Sequence, residues 1–450
     1  MLAWRNVALF LLLVGGGRLA QGYSVLSHEA IIDAAWDDIR DVLVSKFPAA
    51  SAEDLERAHS YAYGGCVIQD MGYYPMASHF FTDLVHYVRS ADFIEALLRD
   101  AQDLDELAFA LGALAHYAAD NSGHPIAVNR AVAIGYPKLR ARYGDSVIFA
   151  QDPSAHLKIE FGFDVAEVAQ ASDAVEDYHD LIGFRVSKDL LAKAFLQTYG
   201  LELKDQLRSL DTALGTYRWT ASKVIPEATR VAWALKKDAI VKARPSMTRQ
   251  KFLYNLSRAS YEKEWGKDYE RPGIFAGFMA FLFRIVPKVG PFKVLSFKAP
   301  SQQTEAMFMQ SFNRTLDLYQ THLREATTGD VRLANTDFDT GRLTGPGEYG
   351  LADETYAGLL RSLAKHNFKD VTPDLRTALL KFYQDPRPPV EDSHKRRKMD
   401  DQAWHQTMSA LDQLKALNVP SSDSSPADNT SLEPANTRSP AFTGVQTQVR

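Results

Sequence analysis

The stretch Leu111-Gly-Ala-Leu-Ala-His-Tyr-Ala-Ala-Asp-Asn-Ser-Gly-His-Pro125 decides the fold. Its apolar residues recur every three or four positions, the pattern of an amphipathic helix facing a core. His116 and Asp120 stand four apart, so they project from one face, one above the other. His124 follows four residues later, between Gly123 and Pro125, residue types that end helices. Imidazole, carboxylate and imidazole in a row form a ligand set for a divalent cation, most naturally zinc. A solvated polar stripe is the commoner meaning of any one such pair. The rest of the chain supplies the partners that change the balance.

Upstream, a helix is expected over 24–44, with Ser27 as cap, His28 in its first turn and Ile31, Ala35, Ile39 and Val42 as its apolar stripe. A second helix is expected over 52–62, carrying His59, which reads as structural. Gly64-Gly65 then breaks the pattern. Asp70 and His79 fall in the loop-like run Asp70-Met-Gly-Tyr-Tyr-Pro75-Met-Ala-Ser-His79, where functional groups concentrate. A helix over 82–99 follows, with Asp83 near its start and His86 on it. From the residues alone, His79, Asp83 and His86 are all open as ligands. Downstream, after a loop rich in turn residues, His156 and Glu160 repeat the four-residue spacing. A mononuclear site needs three or four ligands, and this chain offers about twice that number.

The frame around these residues is an exported one. Met1 to Gly22 has Arg5, an apolar run from Val7 to Val14 and the small pair Ala20-x-Gly22, the make-up of a secretory signal. The run is too short to span a bilayer. Cleavage would leave Tyr23 as the first residue and place His28 five residues beyond a free amine. The product would be secreted or periplasmic. The 428 remaining residues (450 minus 22) suffice for a substantial core. The net charge of -5 favours no polyanion. Cys66 stands alone, so there is no intramolecular disulfide framework, and a free cysteine usually lies buried.

Taken in order, the residues resemble the zinc-dependent phospholipase C and single-strand-nuclease superfamily, to which the catalytic domain of glycosylphosphatidylinositol-specific phospholipase D also belongs. The match runs through His28 close behind a mature N-terminus, Asp70 before Pro75 and Ser78-His79-Phe80. It continues through Leu114-Ala-His116-Tyr-Ala-Ala-Asp120 with His124, then His156-x-x-x-Glu160, and so covers about a third of the chain. The resemblance implies an all-α, multi-helix phospholipase C/nuclease-type bundle with a metal cluster in a cleft. It implies three zinc ions: one on Asp70, His79, His116 and Asp120, and a second on His124, His156 and Glu160. The third would take the amine and carbonyl of Tyr23 with His28, and Asp120 would bridge two ions. It selects His79 over His86, leaving His86 to packing or to a supporting place behind the ligands. Tryptophan often opens these enzymes, and Tyr23 departs from that without removing backbone donors. The implied chemistry is hydrolysis of a phosphodiester, with Asp70 orienting or deprotonating the attacking water. Phospholipid headgroups are the expected substrate; nucleic acid, as for a nuclease or 3′-nucleotidase, is the alternative. A non-catalytic protein stapled by metal is a third possibility, and the sequence leaves oligomeric state open.

Four segments are expected: a signal over 1–22, the catalytic domain over 23–329, a helical C-terminal extension over 330–418 and a disordered tail over 419–450. Helices are expected over 187–199, 210–236, 304–326, 351–365, 373–383 and 404–417, with a loop over 330–349 and a charged linker over 385–401. The run Gly273 to Phe292 is the most apolar of the mature chain. It reads as a buried helix, or as a lip making peripheral contact with a lipid surface through aromatics flanked by Arg284, Lys288 and Lys293. Tyr178-His179 reads as surface. The tail is too polar to bury a core.

Overall fold

The computed structural model describes residues 25–74, 77–167, 185–207, 209–219, 300–389, 399 and 401–417. The signal segment, Tyr23, Tyr178-His179, the apolar stretch 273–292 and the tail lie outside these residues. Among the described residues the fold is all-α, with a single isolated bridge between Thr336 and Leu343. No helix among them is long and apolar enough to cross a membrane.

The helix α6 (Leu104–Gly123) runs through the centre and is buried along nearly its whole length. Asp103 caps its start by accepting the Glu106 N–H, at 2.8 Å. Against it lies α3 (Ala52–Val67), entered through a Ser51/Asp54 capping box. Gly64-Gly65 does not break α3, contrary to expectation. A Cβ on Gly65 would stand 1.9 Å from the Phe109 carbonyl oxygen, and one on Gly112 would stand 2.0 Å from that of Ala62. These glycines let two backbones touch, and helix propensity yields to that packing.

The expected first helix is two: α1 (Val25–Ala34) and α2 (Trp36–Lys46). After α3 a tight 3₁₀ turn, Ile68–Tyr73, carries Asp70. The helix expected over 82–99 is also two, α4 (His79–Tyr87) and α5 (Ser90–Asp100). They are parted by Arg89 at φ 50°, whose guanidinium donates to the Thr198 carbonyl at 2.7 Å. Gly123 and Pro125 do not end the central helix either. The chain passes into a π turn, His124–Val128, and on into α7 (Asn129–Gly135) and α8 (Pro137–Tyr143), where a loop was expected. Proline stands at the second position of the π turn, whose wider winding takes a residue with no amide hydrogen without ending the helical run. Then come α9 (Pro153–Glu167), α10 (Lys188–Tyr199), α11 (Leu203–Gln206) and α12 (Leu210–Trp219).

The long helix α13 (Gln302–Thr328) crosses α6, with Tyr319 donating to the Leu111 carbonyl at 2.9 Å. The loop 330–349 follows, then α14 (Gly350–Lys365), α15 (Pro373–Phe382) and α16 (Asp401–Ala416). Leu360, Leu379 and Leu411 belong to the same buried cluster as Ile31, Leu43 and Phe109. The C-terminal helices therefore share a core with the N-terminal ones.

Candidate metal centre

Five helical elements converge on one end of α6. His116, one turn before Asp120, donates Nδ1–H to the Cys66 carbonyl at 2.8 Å, because a carbonyl can only accept. That fixes the tautomer and turns Nε2 toward Asp120 Oδ2, 3.2 Å away. Both side chains are fully buried.

Asp70 reaches the same place from the 3₁₀ turn. The turn is pinned on both sides: Gln69 donates to the Ala113 carbonyl of α6, and Thr82 of α4 accepts from Gly72 N–H and donates to the Gln69 carbonyl. His28 arrives on the first turn of α1, where Ser27 donates from N–H and hydroxyl to Asp164 of α9, at 3.2 and 2.6 Å. The His28 ring stacks on His116 with centroids 4.2 Å apart, and its Nε2 lies 3.5 Å from Asp120 and 3.8 Å from Asp70.

The fifth member is His86, not His79. His86 donates Nδ1–H to the Thr82 carbonyl at 2.9 Å and points Nε2 at Asp70 (3.3 Å) and Asp120 (3.6 Å). His79 stands at the first position of α4, its ring near Tyr73. The two histidines are seven residues apart, so they share a face but sit roughly 10 Å apart along the helix axis. Ser78, which made the Ser-His-Phe triplet conspicuous, is the N-cap of α4 and accepts the Phe81 N–H. The triplet has a capping role, and His79 belongs to none of the three groups of ligand atoms that come together among the described residues.

Beside this cluster lies a second. His156 and Glu160 on α9 face each other at 3.5 Å, and His156 donates Nε2–H to the Val147 carbonyl. His124, on the π turn, brings its ring to 6.0 Å from that of His156. Potential ligand atoms of His124, His156 and Glu160 all lie within 4.8 Å of one another. So do those of His28, Asp70 and His116, and those of His86, His116 and Asp120. The structure thus joins seven of the nine residues singled out in the sequence. His79 stands apart and Tyr23 lies outside the described residues. His59, read as structural, stacks between Trp36 and Tyr63.

One residue escaped the sequence altogether. Asp339, from the loop 330–349, is buried with Oδ1 3.3 Å from His124 Nδ1. The only signal was Asp337-Phe-Asp339, two carboxylates about an aromatic in a loop.

The electrostatics describe a pocket built for cations. Burial and the neighbouring carboxylates Asp120, Asp70 and Asp339 push Glu160 well above the usual carboxylate range. Burial works against a charged His86, yet Asp120 and Asp70 together raise it to about 10. Burial and the nearby His116 lower His28 to about 3, and burial lowers His156 to about 4. Asp120, despite burial, is held well below its ordinary value by His116 and His86. Both oxygens of Asp70, Asp120 and Glu160 are buried and lack a well-formed hydrogen bond among the described residues. Such atoms are costly unless something positive meets them. Histidine nitrogen and carboxylate oxygen are the donors zinc takes, so the residues fit zinc.

Comparison with curated proteins and with solved structures gives no match. Residues 27–208, which hold every one of these histidines and carboxylates except Asp339, match the model of the zinc-dependent phospholipase C family.

Proposed function

We propose that this chain is an exported zinc-dependent phosphodiesterase that hydrolyses phospholipids at the headgroup phosphate. The observation that carries the reading is Asp120, whose carboxylate faces His28 with one oxygen and His86 and His116 with the other. His28, Asp70, His86, His116 and Asp120 would hold zinc on one side; His124, His156 and Glu160 would hold it on the other. Three ions are proposed, the third completed by the amine and carbonyl of Tyr23 beside His28. Bound zinc supplies Lewis acidity to the phosphate and lowers the pKa of water from about 15.7 towards about 7.

The protein's share is to place and discharge. The carbonyls of Cys66, Thr82 and Val147 orient three imidazoles before any ligand arrives, so no reorganisation is needed at the reaction step. Asp70 is the proposed acceptor of the proton from the attacking water, with both oxygens buried at the centre of the first cluster. The water oxygen bonds to phosphorus in line with the departing alkoxide. The P–O bond to that alkoxide breaks, the alcohol takes a proton from solvent as it leaves, and Asp70 returns its own to solvent.

The test is metal content together with activity on phosphatidylcholine and on single-stranded DNA. Zinc-dependent release of a phosphorylated headgroup supports the reading. Cleavage of DNA or of 3′-nucleotides with phosphatidylcholine untouched replaces it with the nuclease alternative. Zinc loading with neither activity favours a metal-stapled, non-catalytic protein.

A further inference from the structure

His124 differs from three of the other histidines of the centre. His86, His116 and His156 each give one ring N–H to a backbone carbonyl, which leaves the other nitrogen bare to face a ligand. What His124 faces with Nδ1 is the carboxylate of Asp339, at 3.3 Å. Asp339 comes from beyond residue 208, outside the segment that matches the family.

We infer that Asp339 is the positioning residue that fixes the His124 tautomer and so completes the second metal group, a role that rests on the zinc reading above. A carboxylate can only accept, so it holds the proton on Nδ1 and keeps the Nε2 lone pair for the ion. The carboxylate is itself clamped. Its Oδ2 accepts the Phe149 N–H at 2.9 Å and the Tyr349 hydroxyl, and its backbone carbonyl accepts Asn129 Nδ2 at 2.8 Å. Asn129 directly follows the π turn that bears His124, and Phe149 lies just ahead of α9, so the clamp joins the two elements that make the group. With Oδ2 committed to two donors, Oδ1 is the oxygen left to the imidazole, 3.3 Å from its Nδ1.

The loop that delivers it is fastened to the centre as well. Phe338 donates its N–H to the His86 carbonyl at 3.2 Å and packs its ring on those of His86 and His116. Thr336 donates to Asn121 Oδ1 at 2.8 Å and accepts from Ser90 through its carbonyl at 2.6 Å. The loop thus forms the outer wall of the metal centre.

Asp339→Asn in the full chain tests this. The amide has one oxygen, which stays with Phe149 N–H and Tyr349 O–H, so its NH₂ turns toward His124. An imidazole facing a donor must present a bare Nδ1, which moves its proton to Nε2 and spoils the ligand. We expect one zinc equivalent to bind about 10–100-fold more weakly, the remainder unchanged, as for other partners of metal-bound histidines. In the zinc-free wild type, at a pH high enough for the His124 ring to be neutral, its ring ¹⁵N shifts, assigned by their loss in His124→Gln, should show Nδ1–H and a bare Nε2. This reading needs no Asp339 variant to fold. A proton on Nε2 in the wild type, or an Asp339→Asn protein with unaltered zinc number and affinity, overturns the inference while leaving the zinc reading intact. A wild type that binds no zinc takes both down together.

Discussion

Asp120 Oδ2 lies 3.2 Å from His116 Nε2 across one turn of α6, while its Oδ1 lies 3.5 Å from His28 on α1. One buried carboxylate thus faces two groups of imidazoles from opposite oxygens. Only an anion placed this way holds two cations close while offsetting their repulsion. Asp120→Asn keeps the shape and removes the charge. We expect at least one zinc lost and turnover reduced by several powers of ten, since charge stabilisation and metal activation each supply several kcal/mol. Melting temperature should fall as well, because metal bound only by the folded state adds to its stability. Metal analysis, kinetics and thermal melting check this, and a chelator on the wild type should reproduce both losses. Full zinc occupancy with near-normal turnover in the variant sinks the multinuclear mechanism.

His86→Ala should cost far more zinc than His79→Ala, the reverse of the ranking the sequence suggests. His86 Nε2 faces both Asp70 and Asp120, whereas His79 stands two turns earlier on α4. Truncating His86 leaves two buried carboxylates short of a partner, and we expect activity to fall about 100-fold or more. His79→Ala should keep its full metal content. Equal losses from the two substitutions would return His79 to the ligand set.

These two histidines show where the sequence is legible. Spacing of four on one helix brings His116 to Asp120 and His156 to Glu160 by helical geometry alone, and the two pairs together outweigh the commoner reading of either as a solvated stripe. Helix content follows from periodicity in the same way. Choosing among His79, Asp83 and His86 needs the start of α4 and the angle at which it meets the 3₁₀ turn, both tertiary facts. Asp339 lies 215 residues from His124 (339 minus 124), and no local pattern carries that distance. Gly64-Gly65 misleads for a related reason: glycine is a breaker by propensity, but a requirement where two helices touch.

Zinc loading at pH 7 should release at least one proton per chain. His86, raised to about 10, is charged in the zinc-free protein and must lose its proton to bind. Calorimetry in buffers of different ionisation enthalpy reads this directly, and buffer-independent heats count against it. Zinc-free stability carries the same signature in two directions. His86 is raised from 6.5, so its contribution is complete below about pH 6.5 and drains away as pH climbs through about 10. His28 and His156 are lowered from 6.5 to about 3 and about 4; their contribution is present above 6.5 and is lost as pH falls through those values. In chelator these three histidines should therefore make stability fall both as pH drops well below 6.5 and as it climbs towards 10.

The close contact of α3 and α6 sets the depth at which His116 and Asp120 sit, so it should govern metal binding from a distance. Gly65→Ala places a methyl 1.9 Å from the Phe109 carbonyl oxygen, and Gly112→Ala places one 2.0 Å from that of Ala62. Neither obstacle is a flexible side-chain end; both are helix backbone, so the helices must move apart. Overpacking of this kind costs about 1–3 kcal/mol, and more where backbone meets backbone. Gly112 lies one turn before His116 on the same helix, and α3 leads directly into the turn that carries Asp70. Separation should therefore weaken zinc binding along with stability. Gly215→Ala on α12 is the control: its Cβ meets nothing within 4 Å, and alanine should hold or raise stability by up to about 1 kcal/mol. Denaturant melts and zinc titrations of the three variants decide it. If Gly65→Ala and Gly112→Ala melt and bind like Gly215→Ala, the helix contact does not set the geometry of the centre.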